Sequence, residues 1–89
     1  MDTPEKIRML LQNALQPTRL EVIDESGAHA GHLGARSGGG HYAVLVVSAK
    51  FEGASTLERH RMIYSALGTM MQQEIHALAI QACTKKEPL

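Results

Sequence analysis

Residues 41 to 48, His-Tyr-Ala-Val-Leu-Val-Val-Ser, restrict the fold more than any other run in the chain. They are apolar on both faces and rich in β-branched side chains, a pattern that suits the central strand of a sheet rather than an edge. A central strand has to be covered on both sides. With 89 residues the chain has room for one domain and one core, and a domain this small buries only about 60% of its unfolded surface.

The flanking segments supply the cover. Asp2 or Thr3 can cap a first helix that tolerates Pro4 in its opening turn. Ile7, Leu10, Leu11, Ala14 and Leu15 then form one apolar stripe at helical spacing, which Pro17 stops. Residues 19 to 24 alternate as a half-buried strand with Leu20 and Val22 on one face. From Glu25 to Gly40 there is no periodicity, but there are six glycines and two histidines, His29 and His32. A loop of that length in a small domain is a functional candidate or a disordered segment.

After the central run, Phe51 ends an extended stretch, Gly53 permits a tight bend, and Ser55 with Glu58 fits a capping box. In the helix that follows, Leu57, His60, Tyr64 and Leu67 fall at spacings of 3, 4 and 3. That spacing predicts an inward-facing stripe containing His60, with Arg59 and Arg61 pointing elsewhere. Gly68 suits the left-handed position after a helix, and Thr69 with Gln72 can cap a short second helix holding Met70 and Met71 as core filler. Residues 76 to 83 read as a last strand, with His76 at its entrance on the same face as Leu78 and Ile80. The domain is expected over residues 1–84, with 85–89 a short, polar, frayed tail.

The resulting order is helix, strand, strand, helix, helix, strand. The helical crossover makes the last two strands parallel, and the first pair is expected to be antiparallel. The expected fold is α+β, a three-stranded mixed sheet with helices packed on one face.

Nine basic and nine acidic residues cancel, which removes the global positive field of a dedicated nucleic-acid binder but leaves room for a local patch. Lys50, Arg59 and Arg61 could form one, in contact with a partner's carboxylate or with phosphate. The single cysteine, Cys83, excludes an internal disulfide and every cysteine-only metal site, and reads as a small buried hydrophobe. No apolar run approaches the roughly 20 residues of a membrane span, and the N-terminus lacks a signal-peptide or transit-peptide pattern. A soluble, cytoplasmic protein is expected. No Ser/His/Asp set, paired carboxylate or phosphate loop is placed by the motifs, so an enzyme is not expected.

Several segments taken together resemble the BolA family along nearly the whole chain. They are Asp24-Glu25-Ser26 with the histidine-bearing loop, His41-Tyr42 opening a strand that ends in Val47-Ser48, and Phe51-Glu52-Gly53. Arg59-His60-Arg61-Met62-Ile63-Tyr64 and Ile75-His76-Ala77-Leu78-Ala79-Ile80 complete the set. The usual ending, an acidic residue and an aromatic after a proline, is replaced here by Lys85, Lys86, Glu87, Pro88 and Leu89.

The resemblance implies a fold similar to class II KH domains. It also implies a non-enzymatic role as partner of a monothiol glutaredoxin in iron–sulfur trafficking or iron regulation, monomeric alone and heterodimeric with its partner. There a labile [2Fe–2S] cluster is shared between the glutaredoxin cysteine, glutathione and two BolA side chains, which fall on His29 and His76 here, with His32 the alternative loop ligand. Two imidazoles on one iron form a Rieske-like arrangement, and protons would displace them as pH falls through the histidine range. For some bacterial members the resemblance implies instead DNA binding and transcription regulation, which would use the Arg59-His60-Arg61 helix. Against that reading stands the zero net charge. His60 and Gly53 are read as structural, and His41 as a hydrogen-bonded strand residue.

Overall fold

A computed structural model describes residues 2–26 and 40–89. The elements are helix α1 (Thr3–Leu15), strand β1 (Arg19–Asp24), strand β2 (Gly40–Val47), a 3-10 turn (Ala49–Phe51), helix α2 (Thr56–Leu67), a 3-10 helix (Gly68–Gln72) and strand β3 (Ile75–Cys83). The sheet order is β1-β2-β3, with β1 antiparallel and β3 parallel to β2. The expected α+β order and the central place of β2 are both found.

Local chemistry explains the boundaries. The Asp2 carboxylate accepts the Glu5 amide at the start of α1, and the helix ends at Gln16, whose left-handed backbone precedes Pro17. At α2 the capping box is complete: Ser55 Oγ accepts the Glu58 amide at 3.1 Å and the Glu58 carboxylate accepts the Ser55 amide at 2.8 Å. The Ser55 amide first, and the Ser55 hydroxyl second, lower the Glu58 carboxyl pKa. Gly53 at φ 76° and Gly68 at φ 58° take the positive angles that the bend and the helix exit require.

Both helices pack on one sheet face. Ile7, Leu11 and Leu15 from α1 and Ile63 and Leu67 from α2 meet Tyr42, Val44 and Val46 of β2, with Leu20, Val22, Leu78 and Ile80 around them. Phe51 and Met70 close the ends of this cluster. The other sheet face points outward, with Ile23 52% exposed and Ala79 exposed, so β2 has a strand on each edge but helices on one side alone, contrary to the expectation that both its faces be covered.

Four further expectations are corrected. The face that α2 buries is Ile63 and Leu67, with Ala66 partly buried beside them, whereas Leu57 is 59% and Tyr64 41% exposed. At 100° per residue the buried arc is centred near Ile63, about a quarter-turn from the predicted stripe, and His60 lies half-buried at its margin. Arg59, not His60, takes the inward position in the first turn, with a side chain only 12% exposed. The short helix after Gly68 is 3-10 and has no side-chain cap, so Thr69 does not act as one, although Met70 is buried as expected. The ending is not frayed at Glu87, which is hydrogen-bonded to Arg59 and to the Thr84 amide.

The fourth correction is to β3. Gly40 pairs with Ile75 and His41 with Ala77, a register shift that leaves His76 as the extra residue of a bulge. The alternation is broken there: Ile75 is buried, Leu78 is half-buried, and His76 between them is exposed rather than aligned with Leu78 and Ile80.

Candidate functional site

At the open end of the sheet, the polypeptide enters and leaves the 27–39 segment beside the start of β3. The Asp24 carboxylate accepts the Ser26 amide at 2.8 Å, forming a tight turn at the end of β1. Ser26 Oγ then accepts the His41 amide at 3.0 Å, and the Glu25 amide donates to the His41 carbonyl at 2.8 Å. On the other side, the Gly40 amide donates to the Glu74 carbonyl at 3.0 Å. Gly40 has a steric reason to lack a side chain: a Cβ there would lie 2.6 Å from the Tyr42 ring and 2.7 Å from Ser26 Oγ. Residues 26, 40 and 74 are thereby held together.

His76 stands at this junction. Its ring centroid lies 5.2 Å from that of His41, at an interplanar angle of 42°. The bulge at Gly40 and His41 presents His76 to solvent at a rigid strand end, a suitable placement for a ligating imidazole. His29 and His32 lie outside the described residues; His29 follows Ser26 by three residues, a covalent reach of at most about 11 Å. Among the described residues no three His, Cys, Asp or Glu side chains gather as a metal set. The proximity of His41 to His76 was missed by sequence reasoning, because a 35-residue separation carries no signal until the parallel register is known.

The basic residues divide. Lys50 and Arg61 are exposed and line one shallow groove with Leu15, Met62 and Ala66 between α1 and α2. Arg59 does not join them. Its Nε donates to the Ala54 carbonyl at 3.0 Å and its Nη1 to the Ala82 carbonyl at 3.1 Å, while its guanidinium sits 5.8 Å from the Phe51 ring centroid. Nη1 and Nη2 grip the two Glu87 carboxylate oxygens at 2.6 and 2.9 Å. His60 is half-buried beside this helix start, and Gly53, at φ 76°, forms the bend before it.

A family profile described as BolA-like protein matches residues 11–87. The chain belongs to the BolA family. BolA-like protein 1 of Pongo abelii is 49% identical over 78 residues, covering 88% of this chain and 55% of that protein. The chain thus spans about half the length of the first curated BolA relatives it matches. The Escherichia coli K12 protein named DNA-binding transcriptional regulator BolA is 45% identical, covering 93% of this chain and 76% of its own length. Among solved structures, BolA1 from Arabidopsis thaliana superposes with a TM-score of 0.84 at 34% identity, covering 99% of this chain and 98% of that one. The BolA domain of SufE1 from the same plant gives 0.82 at 39% identity over 96% and 94% of the two chains. The BolA fold observed here therefore agrees with solved relatives over almost its full length. No helix among the described residues is long and apolar enough to cross a membrane.

Proposed function

We propose that this BolA protein is a non-enzymatic adaptor that docks on a monothiol glutaredoxin and shares coordination of a labile [2Fe–2S] cluster, in iron–sulfur trafficking or iron regulation. His76 and His29 are its ligands, with His32 the alternative in the loop, and the glutaredoxin cysteine and glutathione complete the set. The protein is a monomer alone and a heterodimer with this partner, in the cytoplasm. The observation that carries the reading is the exposed His76 at the point where the chain departs for and returns from segment 27–39, whose sequence includes His29. Family membership supports it through the partnership that the resemblance implies. The donor set fits in part: one exposed imidazole is in place on a bulged strand end, and the second lies outside the described residues. The cluster would be held as shared cargo, and the work of this chain is to fix one imidazole and to hold the loop base through Ser26 and Gly40.

Mixing the protein with a cluster-loaded monothiol glutaredoxin and following visible absorption and circular dichroism tests the assignment. His76→Ala and His29→Ala should each change the spectrum of the heterocomplex. A spectrum unchanged by both replacements together sinks it.

A second reading, transcription regulation through DNA binding, draws on the name of the E. coli relative. The groove between α1 and α2, with Lys50 and Arg61 at its edge, is the surface that favours it, rather than Arg59, which Glu87 engages. DNA affinity at low salt that falls steeply as salt rises, and that Lys50→Ala with Arg61→Ala removes, supports this reading; no binding at low salt rejects it.

A further inference from the structure

The other end of β3 holds a second polar construction. Three contacts orient the Arg59 guanidinium without any help from the C-terminal residues: the Ala54 carbonyl on Nε, the Ala82 carbonyl on Nη1, and the Phe51 ring. What remains of the guanidinium fork points at one place, and the Thr84 amide points at the same place. These donors converge on the carboxylate of Glu87, with the Thr84 amide 2.8 Å from Oε1. The Glu87 carboxyl is held down to about 2, by the Arg59 hydrogen bonds first and the Thr84 amide second. The cradle is therefore matched to an anionic carboxylate and is fixed before the carboxylate arrives.

The segment that supplies the carboxylate is held far less firmly. Lys85 to Leu89 are all exposed. Apart from the Glu87 side chain, it is tied by a Glu87 amide to Thr84 carbonyl bond at 3.2 Å, a 3.9 Å contact from Cys83 Sγ to the Pro88 carbonyl, and an exposed Lys86–Glu52 pair at 3.8 Å. Exposed bonds of this kind open locally at little cost. Beside the cradle lies a cavity of about 360 Å³, with one wall of Thr18, Arg19, Val47 and Thr84 that stays in place when the tail leaves and the other wall made by the tail itself.

We propose that Arg59 and the Thr84 amide form a carboxylate-binding site which the chain's own Glu87 closes, and that an acidic peptide segment of a partner protein exchanges with Glu87 there. An internal carboxylate competes at an effective concentration on the order of millimolar, so the incoming segment needs a further contact, which the cavity beside Val47 offers. The site is separate from the histidine junction: eight residues of extended strand, roughly 26 Å, divide Thr84 from His76. Failure of one assignment leaves the other standing.

The test uses the full chain carrying Glu87→Gln, labelled with nitrogen-15, and a synthetic peptide Thr-Lys-Lys-Glu-Pro-Leu that repeats the natural ending. The Arg59 Nε–H and Thr84 amide resonances should move on titration, with the unmodified chain binding about tenfold more weakly because Glu87 competes. A peptide with glutamine in place of glutamate should move neither, and adding Arg59→Lys should abolish the response, since an ammonium lacks the planar fork. If Glu87→Gln disturbs the rest of the amide spectrum, a chain ending at Lys85 frees the same donors by a second route. Resonances that stay fixed at millimolar peptide, or that move equally in both chains or with the glutamine peptide, overturn the proposal.

Discussion

The two ends of the three-stranded sheet are finished in opposite ways. At one end β2 runs into Ser48 and Phe51, and the buried polar side chains there are paired. Ser48 is fully buried, donating to the Leu15 carbonyl at 2.6 Å and accepting the Lys50 amide at 3.1 Å, while Arg59 spans Ala54, Ala82 and Glu87. At the other end the same strands finish in backbone bonds to Ser26 and Glu74, a bulge, and an exposed histidine. The closed end ties α1, α2 and the last residues of the sheet into one unit, and the open end presents chemistry. Placing a ligand on a rigid strand end and stability elsewhere lets one small core serve both needs.

That contrast predicts unequal costs of substitution. Phe51→Ala, at a side chain with no exposure at the closed end, should destabilise by about 3 to 5 kcal/mol in a urea unfolding experiment. A cost under about 1 kcal/mol would break the comparison at its strongest point. Ser48→Ala removes a buried hydroxyl that satisfies a carbonyl of α1 and an amide of the turn, and should cost about 1 to 3 kcal/mol by the same measurement. Ser55→Ala, which dismantles the capping box of α2, should cost about 1 kcal/mol and lower helicity by circular dichroism.

The Arg59–Glu87 pair gives the closed end a pH dependence. Glu87 has a folded pKa of about 2, below its ordinary value of 4.5, so its contribution is complete above the ordinary value. It is lost as pH falls from there through about 2. The midpoint of unfolding should therefore fall over that acid range, and the Glu87→Gln chain should show a shallower fall. Equal slopes for the two chains would remove the pair from the account.

The smallest effect belongs to the open end. His76 is exposed, so His76→Ala should change stability by no more than about 0.5 kcal/mol while altering the cluster spectrum with glutaredoxin. A large loss of stability would mean that the histidine serves the fold instead.

Much of this architecture is written in local pattern. The doubly apolar run of β2, the stripe Ile7, Leu11 and Leu15, the Ser55–Glu58 box and the positive angles at Gly53 and Gly68 are set by neighbours within a turn or two, so the sequence alone determines them. The family signature depends on the same local runs. Three things were settled by tertiary structure. Leu57, His60 and Tyr64 fit a helical stripe as well as Ile63 and Leu67 do, and only the approach of Phe51 and the end of β3 selects the arc containing Arg59. A polar ending reads as frayed until a guanidinium from a helix 28 residues earlier in the chain is found to hold it. The bulge that turns His76 outward beside His41 is fixed by parallel register, which pairs residues 35 and more apart. Short-range spacing carries helix and strand, because helix hydrogen bonds are local and a strand's two faces alternate residue by residue; which cation is sheltered, which tail is anchored and which histidine is presented depend on contacts between segments that meet only once the chain has folded.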